Sequence, residues 1–132
     1  FYRIYMPAKV TMHSNRHDHM EFLQDARVGL PTLKTIIHVL VREIIYCQGH
    51  SSQTTIFLSD GQKILISRTL GQCEFLLEGY GFCRIHKSYL VNLEHIKEYY
   101  KTEENLVLLS DGTRLDVSKS YKDMVKLKLN CL

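Results

Sequence analysis

Apolar residues along this chain occur in short runs, many of them alternating with polar residues, and turn-forming residues separate the runs. This is the pattern of β-strands. We expect such strands within Leu33–Val41, at Ile44–Cys47, at Phe82–His86 and within Ile96–Lys101, with a polar loop at 48–53. The number of short strands predicts a mostly β domain, of sandwich or barrel type.

Two segments share one hairpin pattern. Residues 54–58 and 63–67 are predicted to pair around Asp60-Gly61, a dipeptide typical of tight hairpin turns. Residues 107–118 repeat the same order of apolar strand, Asp111-Gly112, cationic residue, apolar strand and serine. Because Asp-Gly turns are common, we interpret the pattern as two independent hairpins, with an internal duplication as the alternative.

Helical periodicity predicts two helices. The first follows Thr69, whose hydroxyl can cap it together with Gln72, and it is expected to end at Gly79. The last begins near Ser118 or Ser120. Its expected apolar face consists of Tyr121, Met124, Val125 and Leu129, and another edge carries Lys119, Lys122 and Lys126. Those lysines could also be only the solvated face of the helix.

The first 29 residues lack a clear period, and we interpret 1–29 as an N-terminal arm or linker and 30–132 as one domain. A short strand within Tyr2–Tyr5 and a helix at 17–26 are possible there. Gly29-Leu30-Pro31 is expected to reset the backbone before the domain. Histidines 13, 17 and 19 have no evident partners for a metal ion, so we expect no metal and no cofactor.

Composition and charge limit the classes of protein to which this chain can belong. The chain has 132 residues, 45% of them hydrophobic, which suits one self-sufficient domain. It carries a mild net charge of +3, but five lysines and arginines face two aspartates from residue 113 onward, so a basic surface is expected locally. No membrane-spanning run occurs. The separated cysteines suit buried thiols in a reducing cytoplasm. No nucleophile elbow, phosphate loop or zinc-protease helix points to an enzyme.

The segment at 82–92 concentrates ionisable groups. A strand at Phe82–His86 is expected to turn at Lys87-Ser88 and to continue into a helical turn at Tyr89–Val91. Arg84, His86 and Lys87 would then gather where a strand ends, a rigid base from which side chains can reach a partner. The alternatives are that Arg84 and Lys87 are solvated surface charges and that His86 bonds the backbone.

The same segment carries a resemblance to a known family. It is followed by His95-Ile96, preceded by the hairpin at 60–65, and supported by Ser110–Thr113 and Val117–Ser120. In this order, over about Leu30 to Leu129, the residues resemble the LytTR-type DNA-binding domain at the C-terminus of bacterial response regulators.

The resemblance implies an elongated stack of short antiparallel sheets with about two short helices. It also implies a sequence-specific regulator of transcription whose loops read successive major grooves of double-stranded DNA and bend it, often as a homodimer on direct repeats. A receiver or sensor domain would lie outside this chain. Carried over by position, the base-contacting residues are Gln53, Lys87, Lys119 and Ser120, and the backbone or supporting contacts are Arg84, His86 and Lys122.

Two positions depart from one studied type of member. Gln53 replaces a histidine and Lys87 replaces an asparagine, so the preferred DNA sequence should differ. A lysine suits guanine acceptors and a glutamine suits adenine. Two other functions stay open: a β-rich module that binds an acidic protein through the same basic edge, and a sensory or redox accessory that uses Cys83 and His86.

Overall fold

The computed structural model describes residues 23–129, which contain ten strands and two complete α-helices, and Leu23 and Gln24 are helical as well. The strands are β1 Arg27–Pro31, β2 Ile36–Leu40, β3 Ile44–His50, β4 Gln53–Leu58, β5 Lys63–Ile66, β6 Phe82–His86, β7 Tyr89–Asn92, β8 Ile96–Tyr100, β9 Leu106–Leu109 and β10 Arg114–Asp116. The helices are α1 Leu70–Leu77 and α2 Lys122–Leu129. Short 3₁₀ turns at Val41–Glu43, Glu78–Tyr80 and Leu93–His95 connect them.

The strands form three separate antiparallel sheets. β1 pairs with β2; β5, β4, β3, β7 and β6 form the central sheet in that order; and β10, β9 and β8 form the third. The mostly β prediction with several short antiparallel sheets and two helices is confirmed. The narrower expectation of a sandwich or barrel is wrong, because three open sheets with free edges replace two large facing sheets or one closed sheet.

The central sheet is buried on both faces. Cys47 of β3 is paired with Leu90 of β7, and both lie in a core with β1, β2 and α1. The next pair, Tyr46 and Val91, points to the opposite face and packs in a second core with the third sheet and α2. Two-sided burial explains why 44–47 is a continuous apolar run.

A buried polar contact joins the start of the described chain to this sheet. Asn92 is fully buried at the end of β7, and its amide nitrogen donates to the carbonyl oxygens of Val41 and Ile44. The side chains of Asn92 and Gln24 also exchange hydrogen bonds of 2.9 and 3.1 Å. Leu23 lies in the first core, so residues before β1 pack on the domain.

The expected break at Gly29-Leu30-Pro31 is wrong, because these residues belong to β1 and pair with β2. Pro31 is tolerated there as the last residue of an edge strand. The strand expected within Tyr2–Tyr5 and the first six residues of the helix expected at 17–26 lie outside the described residues. Division into an arm at 1–29 and a domain at 30–132 therefore stays a proposal.

Four local expectations need correction. The polar loop expected at 48–53 is mostly strand, with only Ser51 and Ser52 in the turn between β3 and β4. Tyr89–Val91 are not a helical turn but strand β7, since they pair with β3 and β6. Met124 is half-exposed, and Val125 is the buried residue of α2. The capping box of Thr69 and Gln72 is confirmed, but left-handed Gly81 ends the turn that follows α1, not Gly79.

The Asp-Gly hairpins are confirmed and their likeness extends further. Gly61 and Gly112 have φ of 90° and 91°, a left-handed conformation that favours glycine. The order of two strands, a 3₁₀ turn, three strands and a helix occurs twice, first from β1 to α1 and again from β6 to α2. Each serine before the Asp-Gly turn donates its N–H at 2.8 Å to the last residue of the preceding 3₁₀ turn, Glu43 or His95.

Candidate nucleic-acid interface

Three loops carrying the predicted base-contacting residues lie side by side where strands β3 and β6 of the central sheet end. The turn between β6 and β7 is in the middle. On one side, the Gly49 N–H of β3 donates to the carbonyl oxygen of Ser88 at 3.0 Å. On the other, the Ser118 N–H donates to the carbonyl oxygen of Ile85 at 3.0 Å. These two backbone hydrogen bonds join the loops of Gln53, Lys87 and Lys119. We call this row the three-loop edge.

The middle turn presents Lys87 to solvent and is held by Arg84. The Arg84 guanidinium donates to the carbonyl oxygens of His86 and Lys87 at 2.8 and 2.6 Å. Its Nη1 atom pairs with the Glu74 carboxylate of α1 at 2.8 Å, and the Arg84 side chain is only 16% exposed. Arg84 thus anchors the turn, whereas the exposed Lys87 ammonium has no ion pair within residues 23–129.

His86 faces the same turn. Its Nδ1 accepts the Ser88 N–H at 3.0 Å, so the neutral ring carries its proton on Nε2. The ring lies 5.1 Å from that of Tyr89, measured between centroids. The alternative that His86 bonds the backbone therefore holds for Nδ1. The Nε2 atom is the one from which the ring can donate to an acceptor on a partner.

The loop between β10 and α2 places Lys119 and Ser120 in solvent. The Ser118 and Ser120 hydroxyls are 3.2 Å apart, and the Tyr121 N–H donates to the carbonyl oxygen of Ser118 at 3.0 Å. This tight turn fixes the point at which the chain enters α2. The first residue of the helix, Lys122, is exposed next to it.

A basic groove adjoins this loop. It has a volume of about 510 Å³ and lies between α2 and the turn from β8 to β9. Four lysines line it: Lys101, Lys119, Lys122 and Lys126. Glu103 and Glu104 of the β8–β9 turn line it as well and leave an excess of two positive charges among these six residues. Such a surface favours an anionic partner.

Gln53 begins β4 and is paired with His50 across the Ser51-Ser52 turn. It is half-buried, in contrast to Lys87 and Lys119, and it lines a shallow groove together with the turn between β1 and β2. The structure therefore brings all seven predicted site residues to one edge, with Gln53 as the least exposed base-contacting candidate.

Sequence reasoning missed two participants. Glu74 holds Arg84 from ten residues away, and no local pattern marks a carboxylate on α1 as the partner of a strand residue. Lys101 completes the basic groove from the end of β8. Its position at the end of the strand predicted within Ile96–Lys101 was the available signal.

Other chemistries find little support here. Cys83 is buried, and burial raises the pKa of its thiol, whereas a reactive cysteine needs a lowered pKa. This disfavours the redox alternative. Among residues 23–129 no group of three or more histidine, cysteine or acidic side chains is arranged to hold a metal ion. Nor does this part of the chain contain a helix long and apolar enough to cross a membrane.

The family model for the LytTr DNA-binding domain matches residues 34–130. This chain belongs to the LytTr DNA-binding domain family. The match includes β2 to α2 and therefore every residue of the three-loop edge.

Two curated relatives are consistent with this family assignment. It is 31% identical over 105 residues to the sensory transduction protein LytT of Bacillus subtilis, covering 76% of this chain and 43% of that protein. It is likewise 31% identical over 99 residues to the transcriptional regulatory protein LytR of Staphylococcus aureus, covering 73% of this chain and 40% of that one. The chain thus spans less than half the length of these relatives.

A solved structure has the same fold. It is the LytTr DNA-binding domain of a Bacillus cereus protein, with a TM-score of 0.67 and 28% sequence identity over 79% of this chain and 96% of that one. The likeness applies to the LytTr domain and leaves the rest of any longer protein undescribed.

Proposed function

We propose that this LytTr domain regulates transcription by binding double-stranded DNA in a sequence-specific manner through the three-loop edge. The observation that carries the proposal is the pair of backbone hydrogen bonds, Gly49 to Ser88 and Ser118 to Ile85, which set three loops with exposed polar side chains in a row. The family match and the regulator names of the relatives support a DNA partner.

We assign the side chains to base contacts, phosphate contacts or support of the loops according to their exposure and their hydrogen bonds. Lys87, Lys119 and Ser120 are exposed at turns, where they can reach base edges, and Gln53 reads from the first residue of β4. Lys122 follows the third loop and contacts a phosphate, which supplies affinity without sequence information. Arg84 supports the middle turn, and His86 Nε2 faces the backbone of the duplex.

The duplex bends when it binds. All three loops are fixed to one sheet by hydrogen bonds and buried strands, so the protein edge is the stiffer partner. Bending a site of 20–30 base pairs costs on the order of 1–6 kcal/mol, a cost that varies with the base steps and therefore adds specificity. We also propose binding as a homodimer on direct repeats, under control of a receiver or sensor domain outside this chain.

Missing-base interference tests the assignment of the loops. A duplex selected by the wild-type chain is prepared with single bases removed, and bound and free molecules are compared. We expect sensitive positions in three clusters, one for each loop. Gln53→Ala, Lys87→Ala and Lys119→Ala should each abolish sensitivity in a different cluster. Sensitivity spread evenly over the duplex would contradict reading by three separate loops.

A further inference from the structure

The turn between β1 and β2 extends the three-loop edge at the Gln53 end. Its residues Thr32–Thr35 and Gln53 line the same shallow groove. The Ser67 N–H donates to the carbonyl oxygen of Pro31 at 3.0 Å, which fixes the base of this turn to the end of β5. Since β5 pairs with β4 next to Gln53, the turn is held beside the first of the three loops.

The turn is rigid and presents two exposed side chains. The Thr32 N–H and hydroxyl both donate to the carbonyl oxygen of Thr35, at 2.8 and 2.9 Å. The Thr35 and Lys34 N–H groups donate back to the Thr32 hydroxyl oxygen at 3.0 and 3.3 Å. Leu33, at 84% exposed, and Lys34 stand at the tip. A preformed tip loses little entropy when it binds.

The internal repeat supplies a second, independent argument. In the repeated order of elements, the turn between β1 and β2 takes the place that the turn between β6 and β7 takes in the second half. Both turns have a lysine among their two central residues, Lys34 in one and Lys87 in the other. Neither lysine is ion-paired within the described residues.

We propose that the tip at Leu33-Lys34 is a fourth DNA-contacting element, in which Lys34 binds a phosphate and Leu33 packs on the adjoining deoxyribose. The inference rests on the proposed function and extends it beyond the residues carried over from the family. The DNA backbone alternates anionic phosphates with apolar sugar faces, and an exposed leucine beside a lysine that has no ion pair among residues 23–129 matches both. Because this contact reads no base edge, it adds affinity on any sequence.

Paired substitutions test the tip. Lys34→Ala and Lys63→Ala each remove one exposed lysine. Lys63 lies opposite Phe57, at the other end of the β4–β5 hairpin from Gln53, and serves as the matched control. Affinity is measured for the selected duplex and for a scrambled one over a range of salt concentrations. We expect Lys34→Ala to weaken both complexes and to lower the slope of log affinity against log salt by about one.

Leu33→Ala should weaken both complexes several-fold while leaving that slope unchanged. A slope for Lys34→Ala equal to that of Lys63→Ala overturns the phosphate contact. Wild-type affinity in Leu33→Ala overturns the sugar contact. Failure of the proposed function gives a different result: the wild-type chain would then not prefer the selected duplex over the scrambled one. Loss of the tip alone leaves that preference intact.

Discussion

The Arg84 guanidinium donates to the main-chain carbonyl oxygen of Lys87 at 2.6 Å, so one cation of this domain fixes the position of another. The same guanidinium bonds Glu74 and the His86 carbonyl oxygen. The charge of Arg84 is used inside the protein, while Lys87, at the tip of the turn, has no ion pair among residues 23–129. The two residues were grouped together in the sequence, yet they have different tasks in the structure.

Arg84→Ala should therefore act on the shape of the turn. We expect a stability loss of about 1–3 kcal/mol, because two carbonyl oxygens and Glu74 lose their donors. Specific DNA binding should weaken as well, and Arg84→Lys should not restore it, since an ammonium cannot reproduce the planar fork. Denaturant unfolding and binding titrations measure both effects. Full stability of Arg84→Ala, with a reduced salt slope, would indicate a direct phosphate contact instead.

Lys87→Ala should remove a base contact without disturbing the fold, because the side chain is exposed and makes no ion pair within the described chain. We expect a loss of about 1–3 kcal/mol on the selected duplex and little change on a scrambled duplex. Lys63→Ala, a lysine outside the proposed interface, is the control and should bind both duplexes like wild type. Equal losses on the two duplexes would rule out base reading by Lys87.

Lys122→Ala should behave in the opposite way. A phosphate contact adds affinity on every sequence, so binding to the selected and scrambled duplexes should weaken alike. The slope of log affinity against log salt should fall by about one, since one fewer phosphate is neutralised. Fluorescence anisotropy over a salt series measures it. An unchanged slope would show that Lys122 is only the solvated end of α2.

Asn92→Leu should destabilise the domain strongly. The substitution leaves the carbonyl oxygens of Val41 and Ile44 and the buried side-chain oxygen of Gln24 without the Asn92 amide as donor. Each unsatisfied buried group costs about 1–3 kcal/mol, and we expect a total loss on the order of 3 kcal/mol or more. Chemical denaturation of the 1–132 chain measures it. Wild-type stability would show that water or rearrangement satisfies these groups.

Stability should fall at high pH. Burial raises the pKa of the thiols of Cys47, Cys73 and Cys83 above their ordinary value. An acid whose pKa is raised in the folded state stabilises the fold below its unfolded pKa, about 8.5, and this contribution is lost as pH rises through the folded pKa. Cys47→Ala should flatten the decline above about pH 8.5, measured by thermal unfolding across pH. An identical pH profile would exclude the thiol.

Local patterns predicted much of the fold. The Asp60-Gly61 and Asp111-Gly112 turns, the capping box at Thr69 and the strand at Phe82–His86 depend on neighbouring residues, and the structure confirms each of them. The family resemblance, also visible in the sequence, is confirmed by the match over 34–130.

What failed depended on distant contacts. Tyr89–Val91 form a strand because β3 lies alongside, more than forty residues earlier in the chain. The role of Arg84 likewise required Glu74, whose proximity results from packing of α1 on the sheet. None of these contacts has a local signal in the amino-acid sequence.

Selection of binding sites from randomised duplex DNA by the purified chain, sequenced at two salt concentrations, tests the central claim most directly. We expect enrichment of a short motif, repeated about one helical turn apart if the domain binds direct repeats, with recovery that falls steeply as salt rises. Recovery of duplex without any enriched motif at either salt concentration would contradict specific reading by the three-loop edge and leave only a basic surface.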